Sequence, residues 1–260
     1  MQRAVDTAGW RAAYLGLALF CFVAMAGLAL LRRPRPPRFV PAAAGAAATR
    51  AQPPDRPFGL APKQAQWLLS IAGVGCCVAM AMPQVHIVAY CGDLGYGAAR
   101  GAQMLSLMLG LGIISRLCFG LISDRIGGLR TLLISGTLQG VALTLFLPFD
   151  SLASLYVVAG LFGLVQGGIV PAYAIVVREH FSPAEAGTRV GITLTATMLG
   201  MALGGWLSGR IFDLTGSYTA AFVNGIAWNL VTVAIVWWLM HRANRIARGV
   251  GPGLPAGQAA

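Results

Sequence analysis

Charged side chains are scarce in this sequence, and acidic ones are scarcer than basic ones. Only 10% of the 260 residues are charged, and eight of them are Asp or Glu; about a quarter of an average soluble protein is charged. Hydrophobic residues make up 57% of the chain, and the mean hydropathy is +0.71. The scarcity of charge excludes an ordinary soluble domain and indicates several membrane crossings, because each spanning helix needs about 20 apolar residues.

Sequence patterns that carry enzyme chemistry are missing as well. No nucleophile triad is visible, and the glycine-rich stretches lie inside apolar runs, the wrong context for a phosphate-binding loop. The five cysteines have no metal-ligand spacing and form no disulfide framework, so we interpret them as small packing residues. We therefore expect no enzyme, no metal site and no cofactor.

Long apolar runs are what the sequence has instead. They cover 12–31, 67–90, 101–122, 131–149, 152–177, 190–212 and 218–240. Their lengths predict about seven transmembrane helices and an all-α membrane fold. Prolines inside two of the runs, Pro83 and Pro171, are expected to kink or interrupt their helices.

One long polar connection divides the chain. It follows the first run and is rich in arginine, proline and alanine, which is typical of a disordered linker. We predict an N-terminal stub with the first helix at 1–31 and a basic cytoplasmic linker at 32–66. A six-helix bundle at 67–240 and a cytoplasmic tail at 241–260 complete the chain.

Positive charge collects on one side of the predicted membrane. With alternating loops, most of the 19 basic residues fall in the linker, in the tail and in two loops of the same side. The positive-inside rule places that side, and the C-terminus, in the cytoplasm of what we expect to be a bacterial inner membrane. The net charge of +11 is thus a topology signal, and no basic patch interleaved with aromatics indicates nucleic-acid binding.

The six later runs form two triplets of opposite topology. The first triplet starts inside and ends outside, and the second does the reverse. Many secondary transporters are built from such inverted repeats. A short sequence similarity between residues 120–126 (GLISDRI) and 205–211 (GWLSGRI) supports the division into two triplets.

A charged, glycine-rich turn joins the third and fourth runs. It has the pattern Gly120-x-x-x-Asp124-Arg125-x-Gly127-x-x-Arg130. Glycine permits a tight reversal because it tolerates positive φ, and the charged residues place the turn at a membrane face. The pattern resembles the loop signature between the second and third helices of a six-helix half in the major facilitator superfamily. Residues 85–95 and 205–222 resemble the seventh-helix end and the eleventh-to-twelfth helix region of its monocarboxylate-porter-like branch.

The resemblance implies a chain equivalent to the sixth helix, the central loop and the second half of a twelve-helix transporter. It also implies that the turn couples conformational changes, since the family's Asp, here Asp124, contacts a helix terminus of the opposite half. The implied partner is a missing N-terminal six-helix half or another membrane subunit. A fragment, a chain that pairs with another polypeptide and a self-associating chain all stay open.

Arg116 is the first candidate for substrate binding. It is an ionisable residue inside a predicted spanning helix, which is by default a functional hypothesis. Its planar guanidinium fits a carboxylate, and the resemblance implies the carboxylate-binding arginine of the monocarboxylate branch. The alternative is a side chain that snorkels to the inner interface. Gly112 stands where some family members place an acidic proton carrier, so a coupling proton and a counter-anion both remain open.

Three more residues are candidates for the same site. His86, near the outer end of its run, could bind substrate or a proton, or could be an ordinary interfacial histidine. Gln166 and Tyr173 lie seven residues apart and share one helix face. They could line a cavity, or they could form hydrogen bonds between helices.

Three functions are compatible with these observations. The first is a secondary transporter that moves a small organic anion, such as a monocarboxylate, by alternating access across the lipid bilayer. The second is a non-transporting remnant of such a protein, and the third is an unrelated seven-helix receptor. The basic linker, the turn and the inverted triplets favour the transporter.

Overall fold

A computed structural model describes residues 2–31 and 56–248 of the chain. Its helices are α1 (Gln2–Leu31), α2 (Pro62–Asp93), α3 (Ala98–Ile126), α4 (Gly128–Leu145), α5 (Leu152–Gln166), α6 (Ile169–His180), α7 (Pro183–Thr215) and α8 (Tyr218–Ala247). A short 3-10 turn, Pro57–Gly59, precedes α2. No strand occurs within these ranges, as the all-α prediction requires. Most of the predicted linker and the end of the tail lie outside the described residues.

Among the described residues, five helical stretches are long and apolar enough to cross a membrane. They are Pro62–Asp93, Ala98–Ile126, Leu152–His180, Pro183–Thr215 and Tyr218–Ala247. The other two predicted spans correspond to α4, with 18 residues, and to α1, whose apolar stretch is the shorter Tyr14–Leu30. The protein is therefore an integral, multi-pass membrane protein with an all-α fold.

The chain separates into two compact units, 1–51 and 52–260. The described part of the first unit is α1, in which Gly9 interrupts the helical geometry at φ 79°. Large apolar side chains such as Leu15, Phe20 and Phe22 are exposed. A helix that is apolar on its exposed faces suits a lipid environment.

Helix packing in the second unit follows the predicted repeats. Helix α2 packs mainly on α7, and α3 packs on α5; α2 also packs on α8, while α4 packs on α5 and α6. If α2, α3 and α4 form one repeat, and α5 with α6, then α7 and α8, form the other, each contact has a counterpart. The contact of α2 with α7 corresponds to that of α3 with α5, and the contact of α2 with α8 corresponds to that of α4 with α5 and α6. Three spans in each repeat give the two repeats opposite directions in the membrane, as inverted repeats require.

Glycines allow the closest of these approaches. A Cβ added to Gly200 or Gly204 of α7 would come within 2.5 and 2.6 Å of the carbonyl oxygens of Val74 and Val78 in α2. Gly163 of α5 is pressed in the same way against the backbone of Met108 in α3. Small residues let helix backbones meet closely in lipid, and these glycines provide such contacts between α2 and α7 and between α3 and α5.

The fifth predicted helix is broken, as Pro171 suggested. Helix α5 ends at Gln166 and α6 begins at Ile169, with Gly167 and Gly168 between them. Proline at position 171 cannot donate to the carbonyl of residue 167 and its ring crowds that carbonyl. Pro83, in contrast, does not interrupt α2, which runs on to Asp93, so of the two outcomes expected at Pro83, a kink or an interruption, the interruption does not occur.

Candidate functional site

The break between α5 and α6 lies beside a pair of glutamines. The amide nitrogen of Gln84 in α2 donates a hydrogen bond to the side-chain oxygen of Gln166, the last residue of α5. Gln166 is buried and Gln84 half-buried. Gln166 was predicted from the sequence and Gln84 was not, although an amide next to Pro83 in an apolar run was a usable signal. The pair joins the two repeats at the break.

Helix α3 meets the same break from the other side. The backbone N–H of Gly167 donates to the hydroxyl oxygen of Ser115 at 3.1 Å. A Cβ on Gly167 would collide with the carbonyl oxygen of Gly112, so only glycine fits there. An N–H freed by the helix break is satisfied by a side chain of the facing helix, as an interrupted membrane helix requires.

Arg116 follows Ser115 directly, so α3 carries it at the level of the break. Its side chain is exposed, and it makes no hydrogen bond or ion pair with the described residues. Its neighbours Ile113 and Leu117 are exposed as well. Only 22% of the most apolar stretch of α3 is buried, and the same is true of α7, against 72% for α2. Arg116 thus lies on a face that this bundle leaves uncovered.

The structure does not place Tyr173 on that uncovered face. Tyr173 is completely buried, and its ring approaches Gly73 of α2. Its hydroxyl has no hydrogen-bond partner in the described part of the chain. Tyr173 therefore packs inside the bundle, on the α2 side of α6.

His86 is also engaged within the bundle. Its Nε2 lies 2.9 Å from the carbonyl oxygen of Gly205 in α7, and the ring rests close to Gly209. The residue is half-buried. This geometry is a hydrogen bond between two helices, made possible by the glycines of α7. His86 faces away from Gln84 on α2, because two residues along a helix turn the side chain by about 200°.

The charged turn has the backbone that its glycines predicted. Gly127 has φ 85°, a value that side chains other than glycine rarely adopt, and it ends α3 directly before α4. Gly120 is half-buried. Asp124, Arg125 and Arg130 are exposed and make no hydrogen bond or ion pair with other described residues.

A residue that sequence analysis missed holds this turn in place. The carboxylate of Glu179, near the end of α6, accepts the backbone N–H of Gly128, with oxygen distances of 3.1 and 3.0 Å. Gly128 begins α4, so an anion sits where the N–H groups of a helix are unpaired and the helix dipole is positive. Ile126, Arg130 and His180 also line this region, a pocket of about 350 Å³.

A larger groove of about 890 Å³ lies between the N-terminal parts of α2 and α7. Gln66 of α2 donates to Thr193 Oγ1 at 2.9 Å, and Arg189 pairs with Glu185 at 2.6 Å. The groove lining includes Lys63, Gln66, Trp67, Ser70, Glu185, Arg189, Ile192 and Leu199. Sequence analysis did not anticipate it, because its two walls lie far apart in the chain.

Comparison with known proteins identifies the class. The family described as Major Facilitator Superfamily matches residues 4–152 and, in a second match, residues 111–255. The matches overlap at 111–152, which includes the charged turn. The chain therefore belongs to the Major Facilitator Superfamily, a family of membrane transporters and not of enzymes, and its bundle is a half-bundle of that family.

Individual relatives point to one branch. The chain is 32% identical over 162 residues to monocarboxylate transporter 13 of Rattus norvegicus, a match that covers 62% of this chain and 38% of the relative. The Bos taurus protein of the same name is 30% identical over 162 residues, which again cover 62% of this chain and 38% of the relative. Probable anion transporter 7 of Oryza sativa subsp. japonica is 29% identical over 143 residues, 53% of this chain and 32% of the relative. The chain spans less than two fifths of the length of these curated relatives. The predicted resemblance to a monocarboxylate-porter-like protein is confirmed.

Proposed function

We propose that the chain forms the second half of a secondary transporter that moves a small organic anion, of the monocarboxylate class, by alternating access. The observation that carries this proposal is Arg116, an unpaired cation on the uncovered face of a spanning helix. Two relatives named as monocarboxylate transporters and one named as a probable anion transporter support the substrate class.

The position of Arg116 favours a binding role over snorkelling. Helix α3 runs from the outer to the inner side in the proposed topology, so its side chains tilt toward the outer end. From Arg116 to Asp124, where the polar turn starts, is about 12 Å along the axis at 1.5 Å per residue. To reach the inner interface, the guanidinium would have to point against the tilt over that distance. A charge held at this depth is costly unless it meets an anion or a polar partner.

A binding pocket around Arg116 needs a second wall. The uncovered faces of α3 and α7 are the surfaces on which that wall would sit. The proposed partner is a companion six-helix half, either covalently continuous or supplied by another subunit. Gln166, through its contact with Gln84, would shape the wall contributed by this half, and His86 and Tyr173 would support that wall from inside the bundle. In this scheme, Asp124, Arg125 and Arg130 are available to contact the companion.

Coupling to a second ion remains part of the proposal. Within the described helices, Gly112 replaces the acidic residue near Arg116, and Asp93 lies at the outer end of α2. A proton carrier would therefore have to come from the companion, or a counter-anion would drive exchange at Arg116 itself. We place the protein in a bacterial inner membrane with the C-terminus in the cytoplasm, following the distribution of arginine.

Uptake measurements test the role of Arg116. The chain and a companion half are reconstituted together in vesicles, and uptake of a labelled monocarboxylate is compared for wild type, Arg116→Lys and Arg116→Gln. We expect Arg116→Gln to lose at least about tenfold in uptake, because a charge-assisted bidentate contact disappears, and Arg116→Lys to retain part of it. Arg210→Gln, an exposed arginine on α7, is the matched control and should transport normally.

Two results would count against the proposal. Equal uptake by wild type and Arg116→Gln, at equal protein levels, would remove Arg116 from the site. Absence of uptake in the wild-type assembly, with any carboxylate offered, would favour the non-transporting remnant.

A further inference from the structure

The segment just before α2 is docked on the inner ends of two other helices. Pro57 and Phe58 are buried, although they precede the first spanning helix of the bundle. The Phe58 ring stacks on His180 at the end of α6, with a centroid distance of 4.4 Å and an interplanar angle of 28°. A residue at the end of a polar linker is thus packed against α6.

The backbone of this segment is held by α8. Arg242 Nε donates to the carbonyl oxygen of Phe58 at 3.1 Å, and its Nη2 donates to that of Gly59 at 3.4 Å. The guanidinium also lies over the ring of Trp238, 5.0 Å from its centroid. A Cβ on Gly59 would come within 2.8 Å of Ile246 Cδ1, so the turn fits closely on the last part of α8.

Phe58 adopts an unusual conformation to make these contacts. Its φ is 57° and its ψ is 20°, and it is the one residue other than glycine with positive φ in the described part of the chain. A non-glycine residue persists in this region only when its surroundings determine its conformation. The stacked ring and the two arginine hydrogen bonds are those surroundings.

The helix held by this segment is the one with a break. Helix α6 has 12 residues and is separated from α5 by Gly167 and Gly168. Two contacts hold its inner end. The ring of Phe58 stacks on His180, and the Arg189 guanidinium lies 4.7 Å from the centroid of the Phe181 ring. Helix α6 is separate from α5 at the glycine pair, so it can open locally on its own, and contacts at its far end oppose that opening.

We propose that Phe58, Gly59 and Arg242 form a clasp that holds the inner end of α6 against α8 and restrains its movement about Gly167 and Gly168. The clasp lies at the point where the linker enters the half-bundle. This role does not depend on the identity of the substrate or on Arg116.

Hydrogen exchange of the full chain in lipid nanodiscs tests the clasp. We expect Phe58→Ala to speed exchange of the α6 amides by about tenfold or more, since local opening is governed by local contacts. Phe149→Ala, which removes an exposed aromatic ring at the other end of the bundle, should leave α6 unchanged. Unchanged protection of α2, the most buried helix, shows that a variant is folded.

Two further pairs of variants separate the contribution of the Phe58 ring from that of its backbone conformation, and the contribution of Arg242 from that of a nearby arginine. Phe58→Gly relaxes the backbone but also removes the ring, so α6 should exchange as fast as in Phe58→Ala; wild-type protection in Phe58→Gly would overturn the role of the ring. Arg242→Gln should also speed exchange in α6, whereas Arg245→Gln, an exposed arginine three residues later, should not. Equal exchange of α6 in wild type, Phe58→Ala and Arg242→Gln, or equal effects of Arg242→Gln and Arg245→Gln, would overturn the clasp.

Discussion

At the residue scale, single polar groups complete the backbone at points where helices start or break. Ser115 accepts the N–H of Gly167 at the break, and Glu179 accepts the N–H of Gly128 at the start of α4. Both acceptors belong to a helix other than the one they complete. Unpaired backbone groups are costly in or near a membrane, so these contacts determine where a chain can turn or break.

Removal of the Glu179 carboxylate should destabilise the charged turn. We expect Glu179→Ala to lower the free energy of unfolding by about 1–2 kcal/mol, as the loss of a helix cap and of a charge at a helix N-terminus does. Glu179→Gln, which keeps an acceptor but loses the charge, should cost less. The measurement is the thermal unfolding temperature in detergent.

Glu185→Gln is the matched control for this prediction. Glu185 pairs with Arg189 near the surface of the bundle, and exposed ion pairs contribute about 0–1 kcal/mol. A larger drop in unfolding temperature for Glu185→Gln than for Glu179→Ala would mean that the Glu179 cap does not stabilise the turn.

At the element scale, the bundle is organised by close contacts between helices of different repeats. Helices α2 and α7 meet through Gly200 and Gly204, and α3 and α5 meet through Gly163 and Gly167. The first helix of each repeat thus packs on the second helix of the other. This packing between the repeats explains why α2 is the most buried helix and why α3 and α7 each keep one face uncovered.

Enlarging a glycine in the α2–α7 contact should force these helices apart. We expect Gly204→Ala to destabilise the protein by about 1–3 kcal/mol, the typical cost of overpacking, because the new methyl group would lie 2.6 Å from backbone atoms of Val78. Gly191→Ala on the same helix has open space around it and should be neutral or slightly stabilising, since alanine favours helix. Thermal unfolding of the two variants side by side makes the comparison; similar unfolding temperatures would contradict the tight contact.

At the scale of the whole molecule, charge is distributed unequally between the two ends of the bundle. Among the described residues, one end carries Arg125 and Arg130 in the charged turn and Arg242 and Arg245 at the end of α8. Aromatic contacts stabilise the opposite end: Tyr218 stacks on Phe212, meets the ring of Tyr90 at a tilt and donates a hydrogen bond to Asp93. The membrane orientation should follow the arginines.

Reporter insertions test this orientation. Alkaline phosphatase inserted after Gly95, between α2 and α3, should be active because it reaches the periplasm, whereas a fusion after Arg248 should be inactive. A fluorescent protein that folds only in the cytoplasm should give the opposite pattern at the two sites. Phosphatase activity at Arg248 with none at Gly95 would reverse the proposed topology.

Much of the fold was predictable from the sequence, because it depends on local properties. Apolar runs form helices in lipid wherever they occur, so the helix order and the two repeats could be derived directly. Gly127 and Pro171 act on their own backbone, which is why the turn and the break were anticipated. The conformational freedom of glycine and the lack of a proline N–H need no distant partner.

Only the tertiary structure decided which side chains meet. Gln84 pairs with Gln166 across 82 residues, Glu179 with Gly128 across 51, and His86 with Gly205 across 119. Each pairing depends on how two helices are rotated about their axes, and one residue step turns a side chain by about 100°. For that reason the sequence could not show that Gln166 and Tyr173, predicted on one face, are both buried toward α2, whereas Arg116 stands on an uncovered face beside the break.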